Sequence, residues 1–240
     1  MLLTATRRSV SLSTVTSVHG RCPAFTALRV LIQPLRPQKR VVSLMATACQ
    51  SDNVKRVLVP IGNGTEEMEA VIVIDVLRRA GALVTVASVE NSTDVVCSRG
   101  VRIIADKMVE ECASSSFDLI ACPGGMPGAE RLRDSPVLER MVRTQKDSGR
   151  LYAAICATPY VFFENKGLLN GKLATAHPAF SDGLNDQSKV LDRVVVDGNL
   201  TTSRGPGTAF EFALSLVKQL YGEEKAKQVA GPMVMHPHTV

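Results

Sequence analysis

The sequence predicts an α/β fold with a mostly parallel sheet covered on both faces by helices. Three observations predict it. Short apolar runs, each about one strand long, recur from Val54 onward. Segments of helical character fall between them, and strands alternating with helices imply parallel pairing. The first run, Val57-Leu58-Val59-Pro60-Ile61, is apolar almost throughout, as expected of a strand buried on both sides.

In chain order, the proline in that first strand is expected to end its pairing early. Gly62-Asn63-Gly64-Thr65 forms a turn. Thr65 is placed to cap a helix over residues 66–80, which Gly81 ends. Leu83 to Val89 is a second strand and Val101 to Ala105 a weaker third. Phe117 to Cys122 is another strand, running into the glycine turn Pro123-Gly124-Gly125-Met126-Pro127-Gly128. A helix over residues 136–147 leads to the strand Leu151 to Ile155, and a helix-like segment follows from Tyr160 to Lys166. Leu173 to Ala176 and Arg193 to Val196 read as strands, the latter paired with Leu200 to Ser203 across Asp197-Gly198-Asn199. The turn Arg204-Gly205-Pro206-Gly207 opens a last long helix, Thr208 to Tyr221. Neither repeat nor linker interrupts residues 54–240, so one domain over 54–232 with a short tail, 233–240, is expected.

Residues 1–51 differ in kind. They carry seven Lys or Arg, lack Asp and Glu, and are rich in Ser and Thr, the composition of an organelle transit peptide. A disordered basic tail is the alternative. Chloroplast and mitochondrion are not separable from this composition, and Met45 offers a second start that would leave a cytoplasmic form. The formal charge of +5 belongs to this leader, because the chain beyond Ser51 carries 21 basic and 23 acidic residues. No basic bias remains to attract nucleic acid, and 4% aromatic residues without Trp make poor stacking platforms. No apolar run reaches the roughly 18 residues of a membrane span. The six cysteines form no CxxC pair and no zinc spacing. Free thiols in a reducing compartment, with no metal, are expected.

Chemistry is sought first at Leu151-Tyr152-Ala153-Ala154-Ile155-Cys156-Ala157-Thr158-Pro159. A strand delivers a cysteine to a sharp turn at the start of a helical segment, where backbone amides favour an anion and a thiolate. A buried structural cysteine fits this stretch equally well. Glu69 lies inside the first predicted helix on the face of Ile72, Val73, Val76 and Ala80. A carboxyl on a core-facing stripe should have a raised pKa, suited to hydrogen-bonding a thiolate or moving a proton; one reaching solvent from the helix end is the alternative. Glu66 and Glu67 are explained by the helix dipole alone. His177 follows a predicted strand end, where α/β sheets place ligands, although a lone histidine there is more often structural. Gly124 and Gly125 could aim amides at an oxyanion, a weak signal in any tight turn. Gly205-Pro206-Gly207 lacks a phosphate-loop lysine.

Taken together, Gly64-Thr65-Glu66-Glu67-Met68-Glu69-Ala70, Asp75 to Gly81, Pro123-Gly124-Gly125, Ala153-Ala154-Ile155-Cys156-Ala157, His177-Pro178 and Thr202 to Thr208 resemble the DJ-1/PfpI superfamily. The resemblance runs in order over residues 54–232 and is to the parkinsonism-associated deglycase and glutathione-independent glyoxalase branch. It implies a flavodoxin-like three-layer sandwich that forms homodimers. It implies Cys156 as nucleophile, Glu69 as its carboxylic-acid partner and His177 as a nearby helper. Gly125 and Ala157 would supply amides to the oxyanion, and Arg99 would line the pocket mouth. The protease-like branch carries histidine directly after the cysteine; Ala157 stands there instead, which argues against a peptidase. Thr158 departs from the glycine common in relatives and is expected to narrow the pocket.

The activity so implied is conversion of 2-oxoaldehydes such as methylglyoxal, or of glycated amines, without metal, glutathione or other cofactor. A redox-sensing stress chaperone acting through oxidation of Cys156 is the alternative. An ordinary thiol is only about 3% ionised at pH 7, so a pKa lowered by roughly two units, worth about 2.7 kcal/mol, is expected of Cys156.

Overall fold

Four consecutive parallel strands of a seven-stranded sheet end on one edge, and everything of chemical interest hangs from that edge. In a computed structural model of the protein, the described residues are 54–235. The leader expected over residues 1–51 lies outside them, as do His236 and His238. The elements in order are β1 (Arg56–Ile61), α1 (Glu67–Arg79), β2 (Leu83–Ser88), β3 (Asp94–Val96), β4 (Arg102–Ile104), β5 (Lys107–Met108) and α2 (Val109–Cys112). They continue with β6 (Leu119–Cys122), α3 (Gly128–Asp134), α4 (Pro136–Asp147), β7 (Leu151–Ile155), α5 (Pro178–Ser181), β8 (Val194–Asp197), β9 (Leu200–Ser203), α6 (Ala209–Tyr221) and α7 (Glu223–Ala230).

The sheet runs β5-β2-β1-β6-β7-β9-β8. All neighbours are parallel except β8, the edge strand, which turns back on β9 as the Asp197-Gly198-Asn199 turn predicts. Alternation along each strand divides the core between the two faces. Val57, Val59 and Ile61 of β1 pack with Val73 and Leu77 of α1 and Phe212 and Leu216 of α6. Leu58, Ile120 and Tyr152 face the other way, against Leu138 and Val142 of α4 and Phe162 and Phe163. This is the flavodoxin-like three-layer sandwich with a mostly parallel sheet that the sequence implies. No helix among the described residues is long and apolar enough to cross a membrane.

Several local expectations are corrected. Pro60 shortens pairing on one side only: β1 stays in register with β2 through Ile61, but with β6 only through Leu58. A proline lacks a single N–H, and that group would serve one neighbour. Thr65 does not cap α1. Its hydroxyl accepts from the Gly62 amide at 3.0 Å to close the turn, and Glu66 caps the helix by accepting from the Glu69 amide at 2.8 Å. Leu173 to Ala176 is extended but forms no strand, because side chains take its donors: the Leu173 amide donates to Asp197 and the Thr175 amide to the Thr202 hydroxyl. The segment expected to be helical from Tyr160 is a π-helical turn over Pro159–Glu164. Val101 to Ala105 contributes β4, which pairs antiparallel with the unforeseen β3 in a separate hairpin.

Candidate active site

The turns that follow β1, β6, β7 and β9 converge at the carboxyl ends of the parallel strands, where α/β sheets place their ligands. Cys156 is the first residue beyond β7. Its backbone φ is +67°, a left-handed conformation rare outside glycine. The strain, of order 1–3 kcal/mol, is held by two main-chain hydrogen bonds. The Cys156 amide donates to the Ser203 carbonyl at 3.0 Å, and the His177 amide donates to the Cys156 carbonyl at 2.8 Å. The residue is therefore fixed at a sharp strand-to-turn corner, and its side chain lies on the wall of a cleft of about 380 Å³. Cys156 is 8% exposed, and the nearby amides of Gly125 and Ala157 favour its anion.

Glu69, two residues into α1, is completely buried. Its Oε2 accepts from the Gly124 amide at 2.8 Å, while Oε1 has no hydrogen-bond partner among the described residues. The Cys156 thiol is the polar group that meets this carboxyl. Burial pushes the carboxyl up to about 7, against the Gly124 amide and the thiol. Burial, and then the Glu69 charge, pushes the thiol up to about 12, against the two amides. The expectation of a thiol lowered by its surroundings is thus reversed, first by burial and then by the Glu69 charge. The pair titrates as a unit and holds one proton between its two pKa values. Moving that proton onto Glu69 removes the second of the two causes that hold the thiol up, leaving burial, and gives the orphaned oxygen a donor's role.

Space explains the glycines. A Cβ on Gly124 would stand 2.5 Å from the Cys156 Cβ and 3.0 Å from Glu69 Oε2. Gly125 has φ +90°, and a Cβ there would meet the Glu66 amide at 2.4 Å. The division of labour differs from expectation: the Gly124 amide is taken by Glu69 and the residue is off the cleft wall, leaving Gly125 and Ala157 to serve the sulfur.

His177 and Arg99 are both on the cleft wall with Cys156. His177 Nδ1 accepts from the Ala179 amide at 3.1 Å as the cap of α5, so in the neutral ring the proton sits on Nε2. The exposed Arg99 is held through its backbone. Glu67 accepts from the Arg99 amide and from the Ser98 hydroxyl, each at 2.8 Å. Glu67 therefore does more than answer the helix dipole, and no spacing could have announced a partner 32 residues away. Phe180, Met68, Met126 and Pro206 complete the wall and were missed, since their sequence positions carry no chemical signature. Thr158 does not narrow the cleft. It is fully buried, and its hydroxyl donates to the Pro123 carbonyl at 2.6 Å. Among the described residues no cluster of His, Cys, Asp or Glu could hold a metal, and the four cysteines there are free.

A flavodoxin-like sandwich with a strained strand-end cysteine against a buried carboxyl defines a recognisable class of protein. Residues 55–219 match the DJ-1/PfpI family, and the chain belongs to it. It is 49% identical over 205 residues to Protein DJ-1 homolog B of Arabidopsis thaliana, an alignment covering 85% of this chain and 46% of that relative, so the chain spans about half the relative's length. It is 38% identical over 172 residues to the glutathione-independent glyoxalase DJR-1.2 of Caenorhabditis elegans, covering 71% of this chain and 90% of that one. Among solved structures, oxidized Toxoplasma gondii DJ-1 superposes with a TM-score of 0.74 at 48% identity, covering 75% of this chain and 98% of the other.

The raised carboxyl has a consequence for stability. The unfolded chain releases the Glu69 proton near 4.5, while the folded protein keeps it until about 7. Folding stability attributable to Glu69 is therefore lost as pH rises through that window, by up to ~3 kcal/mol. Glu69→Gln, which keeps an acceptor for Gly124, should flatten this slope and be the more stable protein at pH 8. Urea denaturation from pH 4.5 to 8 checks it; an equal slope in variant and parent refutes the assignment.

Proposed function

We propose that the protein is a cysteine-dependent, glutathione-independent glyoxalase or deglycase that converts 2-oxoaldehydes such as methylglyoxal to 2-hydroxy acids. The observation that supports this best is the Cys156 side chain on the wall of a cleft with the fully buried Glu69 carboxyl behind it. As the Cys156 sulfur bonds to the aldehyde carbon, its proton passes by way of Glu69 to the aldehyde oxygen, which becomes the hydroxyl of a hemithioacetal and leaves Glu69 ionised. Glu69 or His177 Nε2 then moves a proton from the former aldehyde carbon to its neighbour, through an enediol, leaving a 2-hydroxy thioester. Water cleaves the thioester, releasing the 2-hydroxy acid and returning the proton to sulfur. A carboxyl near 7 both accepts and gives protons at neutral pH, which is what two opposed transfers require. Deglycation of early adducts on amines would begin from an equivalent sulfur adduct. The glyoxalase name of the Caenorhabditis relative favours the same reading.

A second reading is oxidation sensing. The amides of Gly125 and Ala157 suit an oxidised sulfur, and the oxidized Toxoplasma relative has the same fold. Two equivalents of peroxide would carry the thiol to a sulfinate, with loss of two waters, and the oxidised protein would bind partners.

A homodimer also fits. Met68 and Val71 of α1 and Ile104 of β4 are half exposed or more, and Val71, Ile74, Ile103 and Ile104 line a shallow cleft, edged by Asp75, Arg78 and Asp106, that a second copy would cover.

Purified protein should form lactate from methylglyoxal without glutathione. Cys156→Ala should abolish this and Glu69→Gln should reduce kcat by about 10²–10⁴; turnover that survives Cys156→Ala excludes the mechanism. After mild peroxide, mass spectrometry should find sulfinate at Cys156 well above Cys97 and Cys112, and equal oxidation of all three would end the sensing reading. Sedimentation at micromolar concentration should give a dimer that Ile104→Glu converts to monomer; a monomeric parent protein would contradict the assembly.

A further inference from the structure

We propose that Thr158 is a positioning residue: its buried hydroxyl fastens the turn carrying Ala157 to the turn carrying Gly125, and so holds two amides on one sulfur. The inference rests on Cys156 being a reactive thiol, but not on any one substrate.

The amides that serve the sulfur come from separate pieces of chain. Gly125 belongs to the turn after β6, and Ala157 to the turn after β7. The ladder joining these strands reaches only as far as the Cys122–Ala154 pair. Beyond it, the main chain of each turn is committed elsewhere. The Gly124 carbonyl accepts from Glu66 and the Gly125 carbonyl from Ala129, while the Cys156 amide donates to Ser203 and the Ala157 carbonyl accepts from Val161. Among the described residues, one hydrogen bond that does not involve the thiol or Glu69 links the two turns directly. It runs from Thr158 Oγ1 to the Pro123 carbonyl, at 2.6 Å.

The surroundings make this a firm contact. Thr158 is fully buried and Pro123 is buried, so water cannot substitute for the hydroxyl. Pro123 precedes Gly124 by one residue, and Gly124 packs so closely on Cys156 that a Cβ would not fit. A shift of the Pro123 peptide therefore moves the Gly124 amide on Glu69 and the Gly125 amide on sulfur together. Glycine at position 158 would have no hydroxyl to offer, so this strap is a property of the threonine.

The test compares Thr158→Val, which keeps the shape and deletes the donor, with Thr158→Ser, which keeps the donor. The readout is the pH profile of Cys156 alkylation by iodoacetamide in the full chain, followed by mass spectrometry, with kcat and KM for methylglyoxal measured alongside. In Thr158→Val the profile should shift to higher pH and the rate at pH 7 should fall about tenfold to a hundredfold, the scale of a misplacement near 1 Å. Any turnover should fall in kcat with KM little changed, and Thr158→Ser should restore both to within about twofold of the parent. Where Thr158→Val does not fold, Thr158→Ala carries the same expectation without a new buried methyl. An unchanged alkylation profile in a folded donor-less variant, with only the melting temperature lowered, overturns the proposal and leaves Thr158 a packing residue. Absence of lactate formation by the parent protein would count against the glyoxalase reading alone, since the alkylation profile still decides Thr158.

Discussion

Everything at this site depends on one constraint: a carboxyl and a thiol are buried against each other with a single proton to share. Glu69 has one oxygen satisfied by the Gly124 amide and the other by no hydrogen-bond partner among the described residues. Two full negative charges in that space would be costly, because Glu69 is completely buried and Cys156 is only 8% exposed on the cleft wall. With the carboxyl near 7 and the thiol near 12, the proton rests on sulfur whenever Glu69 is ionised. The energy that pushes the carboxyl up from 4.5 to about 7 is a cost in stability which the rest of the sandwich must offset.

The fold makes that offset affordable by supplying rigid anchors on every side. Glu69 is fixed by α1, whose start is fastened to the glycine turn through the Glu66 amide on the Gly124 carbonyl. Cys156 is fixed by β9 on one side and by the His177 amide on the other. The same close approach that excludes any side chain at Gly124 brings acid and nucleophile into contact. Packing and chemistry are here one requirement. Small residues surround the sulfur because the amides must come near, and the left-handed Cys156 backbone persists because its neighbours over-determine it.

The fold was largely legible because its central strands are buried on both faces and their apolar runs stand out. The short peripheral elements were not. β3, β5 and α5 are two to four residues long and are set by tertiary contacts rather than by periodicity. The extended stretch near Thr175 looked like a strand because its composition suits one, yet side-chain acceptors took its amides. At the site, Glu69 could be inferred from a carboxyl on an apolar helical stripe, and Cys156 from a strand running into a turn. Glu67 and Thr158 could not, since each acts through a partner far away in sequence, at the Arg99 amide and the Pro123 carbonyl. The direction of the thiol's shift was misjudged for a related reason. A helix-like turn and two amides are visible locally, whereas the burial and the carboxylate charge that oppose them exist only once the chain is folded.

Ala157 bears on which reactions the pair can support. A peptide bond needs a strong acid for its amine leaving group, and a histidine beside the nucleophile is one way to provide it. Here the neighbouring side chain is a methyl group, and the one histidine on the cleft wall spends Nδ1 on the Ala179 amide. What remains is a carboxyl near 7, a singly available imidazole nitrogen and two amides. That set suits carbonyl addition and proton transfer between adjacent carbons. The wall those groups open onto is otherwise largely apolar, with Met68, Met126, Phe180 and Pro206.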